Sequence, residues 1–309
     1  MPLVTVAIPL YRSRRFVEII CANVAAIDCP DVEILISDRH GLDDAIDVLR
    51  AALGHDPRVR FLTATDQLSW VDHFSLLLRE ARGAYALWMA HDDSYPAGYV
   101  TDLVKALEAR PDAVLAFGRV ELVSLDGFLP ALPFAAPPTA SRRWSVVDAL
   151  RWLTTWQMWI AFRGAVRCDV VRPMNLYIRP TYQNVRADIY WLFALALRGP
   201  LVYVPSTFCT KRFYRASAGA EWRFTLRHGF NSCGVLYGYL SDFARSRVDV
   251  ALGWLVLTPW CLVQPLLPRG VARRLMNAWQ IRVRGGYPGA GVGVSAGGPP
   301  PAGRTTAPS

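Results

Sequence analysis

Residues 4–38 read VTVAIPLYRSRRFVEIICANVAAIDCPDVEILISD, and their pattern decides the fold class. "VTVAI" (Val4 to Ile8) is an apolar, strand-like run, Phe16, Ile19, Ile20 and Val24 then recur at helical spacing, and "VEILIS" (Val32 to Ser37) is a second such run. The alternation continues. Ala45, Ile46, Leu49 and Leu53 mark a second helix, "VRFL" (Val59 to Leu62) a third strand, and Val71, Phe74, Leu77, Leu78 and Ala81 a third helix that Gly83 stops. "YALWMA" (Tyr85 to Ala90) is a fourth strand, and Val100, Leu103, Val104 and Leu107 a fourth helix. "AVLAFG" opens a fifth strand, and "VELVSLDG" ends in an Asp126-Gly127 turn that suggests a hairpin. Strands that are unbroken apolar runs and alternate with helices predict an α/β fold: a Rossmann-like, mostly parallel sheet with helices on both faces.

Composition narrows the function. The 309 residues suffice for one large α/β domain or two small ones. Of the net charge of +9, Arg245 onward contributes +7, so the basic excess belongs to the tail. No nucleic-acid-binding signature accompanies it, and nucleic acid is not an expected partner. The six cysteines (21, 29, 168, 209, 233, 261) lack CxxC or CxxH spacing, and the five histidines form no HExxH, which argues against zinc and against a disulfide framework. No charged and apolar targeting segment is read ahead of "VTVAIPLY", so the expected location is cytosolic.

The second half reads differently. A Pro-rich connector, "LPALPFAAPP" (Leu129 to Pro138), leads to Trp152, Trp156 and Trp159, whose spacing predicts one helical face that is more often core than sugar platform. "NVRADIYWLFALALRGP" predicts an apolar helix opened by Asp188 and closed by Gly199-Pro200, followed by the strand "LVYVP". "ALGWLVLTPWCLVQPLL" (Ala251 to Leu267) is uncharged with arginines on both flanks. It is short against the roughly 20 residues of a membrane span, and Pro259 and Pro265 interrupt it. A span, an interfacial helix and a buried helical hairpin are the alternatives; an interfacial helix held by arginines to anionic lipid fits best. Past Gly285 the composition predicts disorder.

In open α/β sheets, ligands bind at the carboxyl ends of the strands. Asp38 stands at the end of the second strand, and Asp92 and Asp93 just past the end of the fourth. Adjacent carboxylates repel and need a compensating cation, solvent or a helix N-terminus. Three carboxylates on one edge suit a cation or a ribose; the competing explanation for the pair is that it caps the helix after "YPAGYV".

"VTVAIPLY", "EILISD", "GAYALWMAHDD" and "ADIYWLFALALRGPLVYVP" resemble, in order and spacing, the inverting family 2 glycosyltransferases of the GT-A fold, over about Pro2 to Ser217. The resemblance implies transfer of a sugar from a nucleotide-diphospho-sugar donor to an acceptor hydroxyl on a glycan or lipid-linked acceptor, in glycan or polysaccharide assembly. It implies that Asp38 contacts the base, that Asp92 binds ribose, that Asp93 binds Mg²⁺ or Mn²⁺ on the diphosphate, and that Asp188 is the catalytic base. Backbone at Pro9 and Tyr11 would line the nucleotide pocket. Residues 1–128 would form the nucleotide-sugar half and 129–220 the acceptor and base half of one domain. Residues 221–284 would form a helical basic extension, with 245–284 against an anionic membrane at the inner face, and 285–309 a disordered tail. The chain departs from the family pattern at His91 and Ala187, where acids are common, in "RHGLDD" after Asp38, and at Tyr214, where many relatives carry a histidine.

Two other classes compete. A sugar-phosphate nucleotidyltransferase would carry a Gly-rich loop after the first strand, and "IPLYRSRRF" has no glycine. A non-catalytic nucleotide- or glycan-binding relative is suggested by Ala187 and Tyr214. For Asp188 the alternative role is a helix N-cap, which can coexist with catalysis.

Overall fold

The computed structural model describes residues 3–39, 41–63, 68–124, 145–154, 158–213 and 225–263. Among these residues, seven strands form one sheet in the order β3-β2-β1-β4-β6-β5-β7. They are β1 (Val4–Leu10), β2 (Val32–Asp38), β3 (Val59–Thr63), β4 (Tyr85–Trp88), β5 (Leu115–Ser124), β6 (Ala165–Arg167) and β7 (Leu201–Phe213). β3, β2, β1 and β4 run parallel, β6 is antiparallel to β4 and β5, and β7 is parallel to β5.

Every residue of β1 and β2 is buried, as strands covered on both faces must be. Successive side chains serve opposite faces. Val4, Val6, Ile8 and Leu10 join Ile34 and Ile36 in one core, while Ala7 and Leu35 belong to the other. The first core is closed by α1 (Val17–Ala26), α2 (Ala45–Leu53) and α4 (Tyr99–Glu108), through Ile20, Val24, Leu49, Leu103 and Leu107. The second is closed by α3 (Trp70–Glu80), α5 (Val146–Thr154), α7 (Ala187–Arg198) and α8 (Leu226–Phe243). A short α6 (Cys168–Val171) follows β6, and α9 (Arg247–Val263) packs on α8. Gly83 is required for a reason beyond stopping α3: a Cβ there would lie 2.6 Å from the Thr5 nitrogen and 2.7 Å from the Val4 carbonyl carbon, where the α3–β4 turn crosses β1.

Three local expectations change. "AVLAFG" and "VELVS" are one ten-residue strand, β5, whose partners are β6 and β7 rather than a hairpin neighbour; Asp126-Gly127 lies outside the described residues. "LVYVP" is only the start of the thirteen-residue β7. Pro205 cannot donate to a ladder, and the register jumps there, from Gly118 opposite Val204 to Arg119 opposite Phe208. Gly118 permits the bulge, since a Cβ would stand 2.7 Å from the Thr207 carbonyl oxygen. The tryptophan stripe is not one helical face: α5 holds Trp152 and ends at Thr154, Trp159 lies in a separate 3₁₀ segment (Met158–Arg163), and Trp156 is outside the described residues.

α8 is an integral part of the core, with Leu236, Tyr239 and Leu240 fully buried and Tyr190 of α7 donating to Ser232 Oγ at 2.7 Å. On α9, Leu257 is buried and Trp254 stacks on Tyr237, while Val248, Leu252, Leu255 and Val256 are exposed. Among the described residues no helix is long and apolar enough to cross a membrane. The Pro-rich connector, Tyr214 and the segment past Gly285 lie outside the described residues.

Candidate active site

The order β2-β1-β4 brings the carboxyl ends of three parallel strands side by side, with Leu10 opposite Asp38 and Ala7 opposite Trp88. Pro9 and Tyr11, Asp38 and Arg39, and Asp92 and Asp93 therefore share one edge. Tyr11 is 42% exposed there, and the Arg39 guanidinium lies 4.6 Å over its ring. Nε and Nη1 of Arg39 are buried without a hydrogen-bond partner. Ser37, ahead of Asp38, is fixed by His73 of α3, whose Nε2 is 2.9 Å from the hydroxyl. His91 stacks on Phe16 and sets Nδ1 3.3 Å from the Pro9 carbonyl oxygen.

Asp92 and Asp93 do not cap a helix. α4 begins six residues after Asp93, and its N-cap is Gly98, in the left-handed region at φ +83°. Asn23 of α1 clamps the turn, donating to the Asp93 carbonyl at 2.9 Å and accepting from the Tyr95 N–H at 3.0 Å. The Ser94–Thr210 bridge, with two hydrogen bonds of 2.9 and 2.8 Å, ties it to β7.

The Asp93 side chain is completely buried, and both its oxygens are engaged. Arg163 Nε donates to Oδ2 at 2.7 Å, and the Arg212 backbone N–H donates to Oδ1 at 3.2 Å. Arg212 Nη1 donates to the Asp92 carbonyl at 2.8 Å. A buried carboxylate is tolerated only when it is paired and hydrogen-bonded, and Arg163 meets that condition here. A divalent ion needs several oxygen ligands with accessible lone pairs. The donor set around Asp93, with a guanidinium on one oxygen and a backbone N–H on the other, does not fit one. Among the described residues no three His, Cys, Asp or Glu side chains are grouped to hold a metal.

Asp188 reaches the same place from the other core. Trp191, one turn further along α7, packs edge-on to Trp88 of β4 at 5.0 Å and to Phe162 at 6.0 Å, and Phe162 stacks on Trp88 at 4.9 Å. Residues three apart share a helix face, and Asp188, one turn before Trp191, lies within electrostatic reach of Arg163. Burial raises the Asp188 pKa above the ordinary value, against the neighbouring backbone N–H groups and the charges of Arg163 and Arg186, which pull the other way. The helix end does not dominate. The chain enters α7 through Gln183, Asn184 and Arg186, all at positive φ (56°, 56° and 63°), a strained approach of the kind that clusters at functional sites.

Arg163 and Lys211 went unrecognised in the sequence reading. The available signal was a single arginine in the apolar run "MWIAFRGAV": a charge among apolar residues demands a buried counter-charge. Lys211 lies within electrostatic reach of Arg163, Asp92 and Asp93, and burial followed by the Arg163 charge lowers its pKa.

Comparison with known proteins agrees with this architecture. S. aureus TarS (residues 1–349, in complex with UDP-GlcNAc) superposes with a TM-score of 0.62 at 11% identity, over 82% of this chain and 70% of that one. The mannosyltransferase PcManGT from Pyrobaculum calidifontis, in complex with GDP-Man and Mn²⁺, superposes with a TM-score of 0.54 at 16% identity, over 91% and 81%. The fold is GT-A. An uncharacterized Sinorhizobium fredii protein, y4gI, is 31% identical over 121 residues, 38% of this chain; the alignment spans only 13% of that longer protein. Residues 5–167, more than half of the chain, match the family model described as glycosyl transferase family 2, and the chain belongs to that family.

Proposed function

We propose that the protein moves a sugar from a nucleotide-diphospho-sugar to an acceptor hydroxyl with inversion at the anomeric carbon. The observation that supports this reading is that Asp188, a carboxylate of raised pKa, lies within electrostatic reach of Arg163, the arginine that pairs with Asp93 of the acidic turn. Asp38 receives the base, Asp92 the ribose, and the backbone at Pro9 and Tyr11 lines the nucleotide pocket. That TarS was captured with UDP-GlcNAc and PcManGT with GDP-Man supports a uridine or guanosine diphosphate donor.

Asp188 accepts the acceptor's proton as its oxygen attacks C1 from the face opposite the leaving group. A base with a raised pKa accepts that proton more readily, and general-base assistance contributes about 10²- to 10⁴-fold in rate. The nucleotide half (1–128) and the base-bearing half (129–220) thus act as one site. The exposed apolar residues of α9, next to Arg245 and Arg247, support an acceptor held at an anionic membrane surface.

The test is a thermal-shift series with UDP, GDP, dTDP and CDP, followed by transfer assays on Asp188→Asn. One nucleotide should stabilise the protein, and at about 100 times its dissociation constant the gain is roughly 2.7 kcal/mol. Asp188→Asn should keep that shift and lose transfer. Nucleotide binding without turnover, unaffected by Asp188→Asn, would instead mark a non-catalytic relative.

A further inference from the structure

We infer that the donor's diphosphate is met by protein cations, Lys211 and Arg212, in place of a divalent ion on Asp93, whose charge Arg163 already neutralises, so that nucleotide binding does not require a metal. The inference rests on the donor reading above and concerns how that site handles charge.

The place on Asp93 that a cation would take is filled, and the filling is built in. Asp93 has its backbone held by Asn23 on its carbonyl and by the Ser94–Thr210 bridge on its neighbour, and its carboxylate held by Arg163 Nε and the Arg212 N–H. Arg163 is held equally well: its carbonyl accepts from the Tyr99 hydroxyl at 3.0 Å, and its neighbour Phe162 is locked between Trp88 and Phe74. The guanidinium is 11% exposed, so the pair is shielded from solvent on both sides.

The local charge points the same way. Three cations serve the turn: Arg163 pairs with the Asp93 carboxylate, the Arg212 guanidinium donates to the Asp92 carbonyl, and Lys211 lies within electrostatic reach of both acids. A divalent cation entering this cluster would be repelled by all three, whereas a diphosphate would be attracted. Lys211 is half-buried, within electrostatic reach of Arg163, Asp92 and Asp93. Arg212 projects from β7, whose bulge at Pro205 sets the register that brings Thr210 to Ser94 and the Arg212 N–H to Asp93. Arginine and lysine are the side chains suited to phosphate, the first by its planar fork and the second as a point charge.

In the reaction the bond from C1 to the phosphate oxygen breaks, and its electron pair stays on the diphosphate, which gains one negative charge. The acceptor oxygen forms the new bond to C1, and its proton goes to Asp188. The developing charge on the leaving group is the one that Lys211 and Arg212 offset, while Arg163 keeps Asp93 from opposing it.

The test is calorimetric titration of the full chain with UDP and with GDP, once in EDTA and once in Mn²⁺. The expected result is that one nucleotide binds in EDTA and that Mn²⁺ tightens it by less than about fivefold, under about 1 kcal/mol. Lys211→Met should weaken binding in EDTA about tenfold, the size expected for a lost hydrogen bond to a charged group. Binding that appears only with Mn²⁺, or tightens more than that threshold, overturns the inference and leaves the donor reading standing. Binding of neither nucleotide under either condition overturns the inference, and the absence of a thermal shift with dTDP and CDP as well overturns the donor reading. Arg163→Met, where it folds, should convert binding to Mn²⁺ dependence by freeing Asp93; the wild-type titration decides the matter without it.

Discussion

Arg163→Met tests whether the buried ion pair at the site exists in solution. The side chains of Asp93 and Arg163 are 0% and 11% exposed and 2.7 Å apart, so removing the guanidinium leaves a carboxylate in a place water does not reach. Breaking a buried pair from one side costs about 3–5 kcal/mol. Asp93 would keep the Arg212 N–H and the nearby charge of Lys211, which places the expected loss at the low end, about 3 kcal/mol. For a domain of this size that is a fall in melting temperature of about 6–12 °C, and the urea midpoint should drop with an unchanged slope. Asp93→Leu combined with Arg163→Met removes both charges and should recover most of the loss, because an apolar pair of similar volume replaces a buried ion pair at little cost. The double-mutant cycle should therefore show coupling of about 2 kcal/mol or more. A loss below about 1 kcal/mol for Arg163→Met, the size of an exposed pair, would refute the argument that Arg163 neutralises Asp93.

Asp188→Asn should raise stability at neutral pH while abolishing transfer. A carboxyl whose folded pKa is raised binds its proton more tightly when folded, so its stabilising contribution is complete below the unfolded pKa of about 3.9 and is lost as pH rises through the folded value. Melting curves of wild type and variant should converge below about pH 4. Glu33 behaves oppositely. It accepts from the Thr5 hydroxyl, the Arg82 N–H and Arg60 Nε, and although burial alone would raise its pKa, these partners win and lower it. Its contribution is therefore present above the unfolded pKa of about 4.3 and lost as pH falls through the folded value. Denaturation of Glu33→Gln should show a deficit of about 1–3 kcal/mol at pH 7 that shrinks in acid. Trp191→Leu removes the Nε1 hydrogen bond to the Leu176 carbonyl and the contacts with Trp88 and Phe162. It should cost about 3 kcal/mol and reduce kcat more than donor affinity, because it loosens the helix that carries Asp188 and leaves the β1-β2-β4 edge intact.

Much of this architecture is legible because the driving forces are local or periodic. All-apolar runs such as "VTVAI" and "VEILIS" have no solvent face, and only a sheet covered on both sides accommodates them. The helices of the first core follow from 3.6-residue spacing alone, and α7 ends where Gly199-Pro200 indicates, whereas its N-cap is Arg186 and Asp188 lies inside the first turn rather than capping it. Where the reading stopped short, the cause was non-local. β5 is a single strand because β7, some eighty residues later, pairs along its whole length. Pro205 signals the end of a strand to any local rule, and only the bulge opposite Gly118 lets the strand resume.

The sequence by itself determined the layered α/β fold and the edge at which Asp38, Asp92 and Asp93 gather, since apolar periodicity and strand ends are properties of neighbouring residues. It also marked Asp188 as the first acid of an apolar helix. Tertiary structure alone decided what each carboxylate faces. Asp93 meets Arg163, 70 residues away, and the Arg212 N–H, 119 residues away. Asp188 has its pKa set by the burial that α7 acquires on packing against β4 and Phe162. Charge compensation and desolvation depend on distances through space, and no spacing along the chain encodes them.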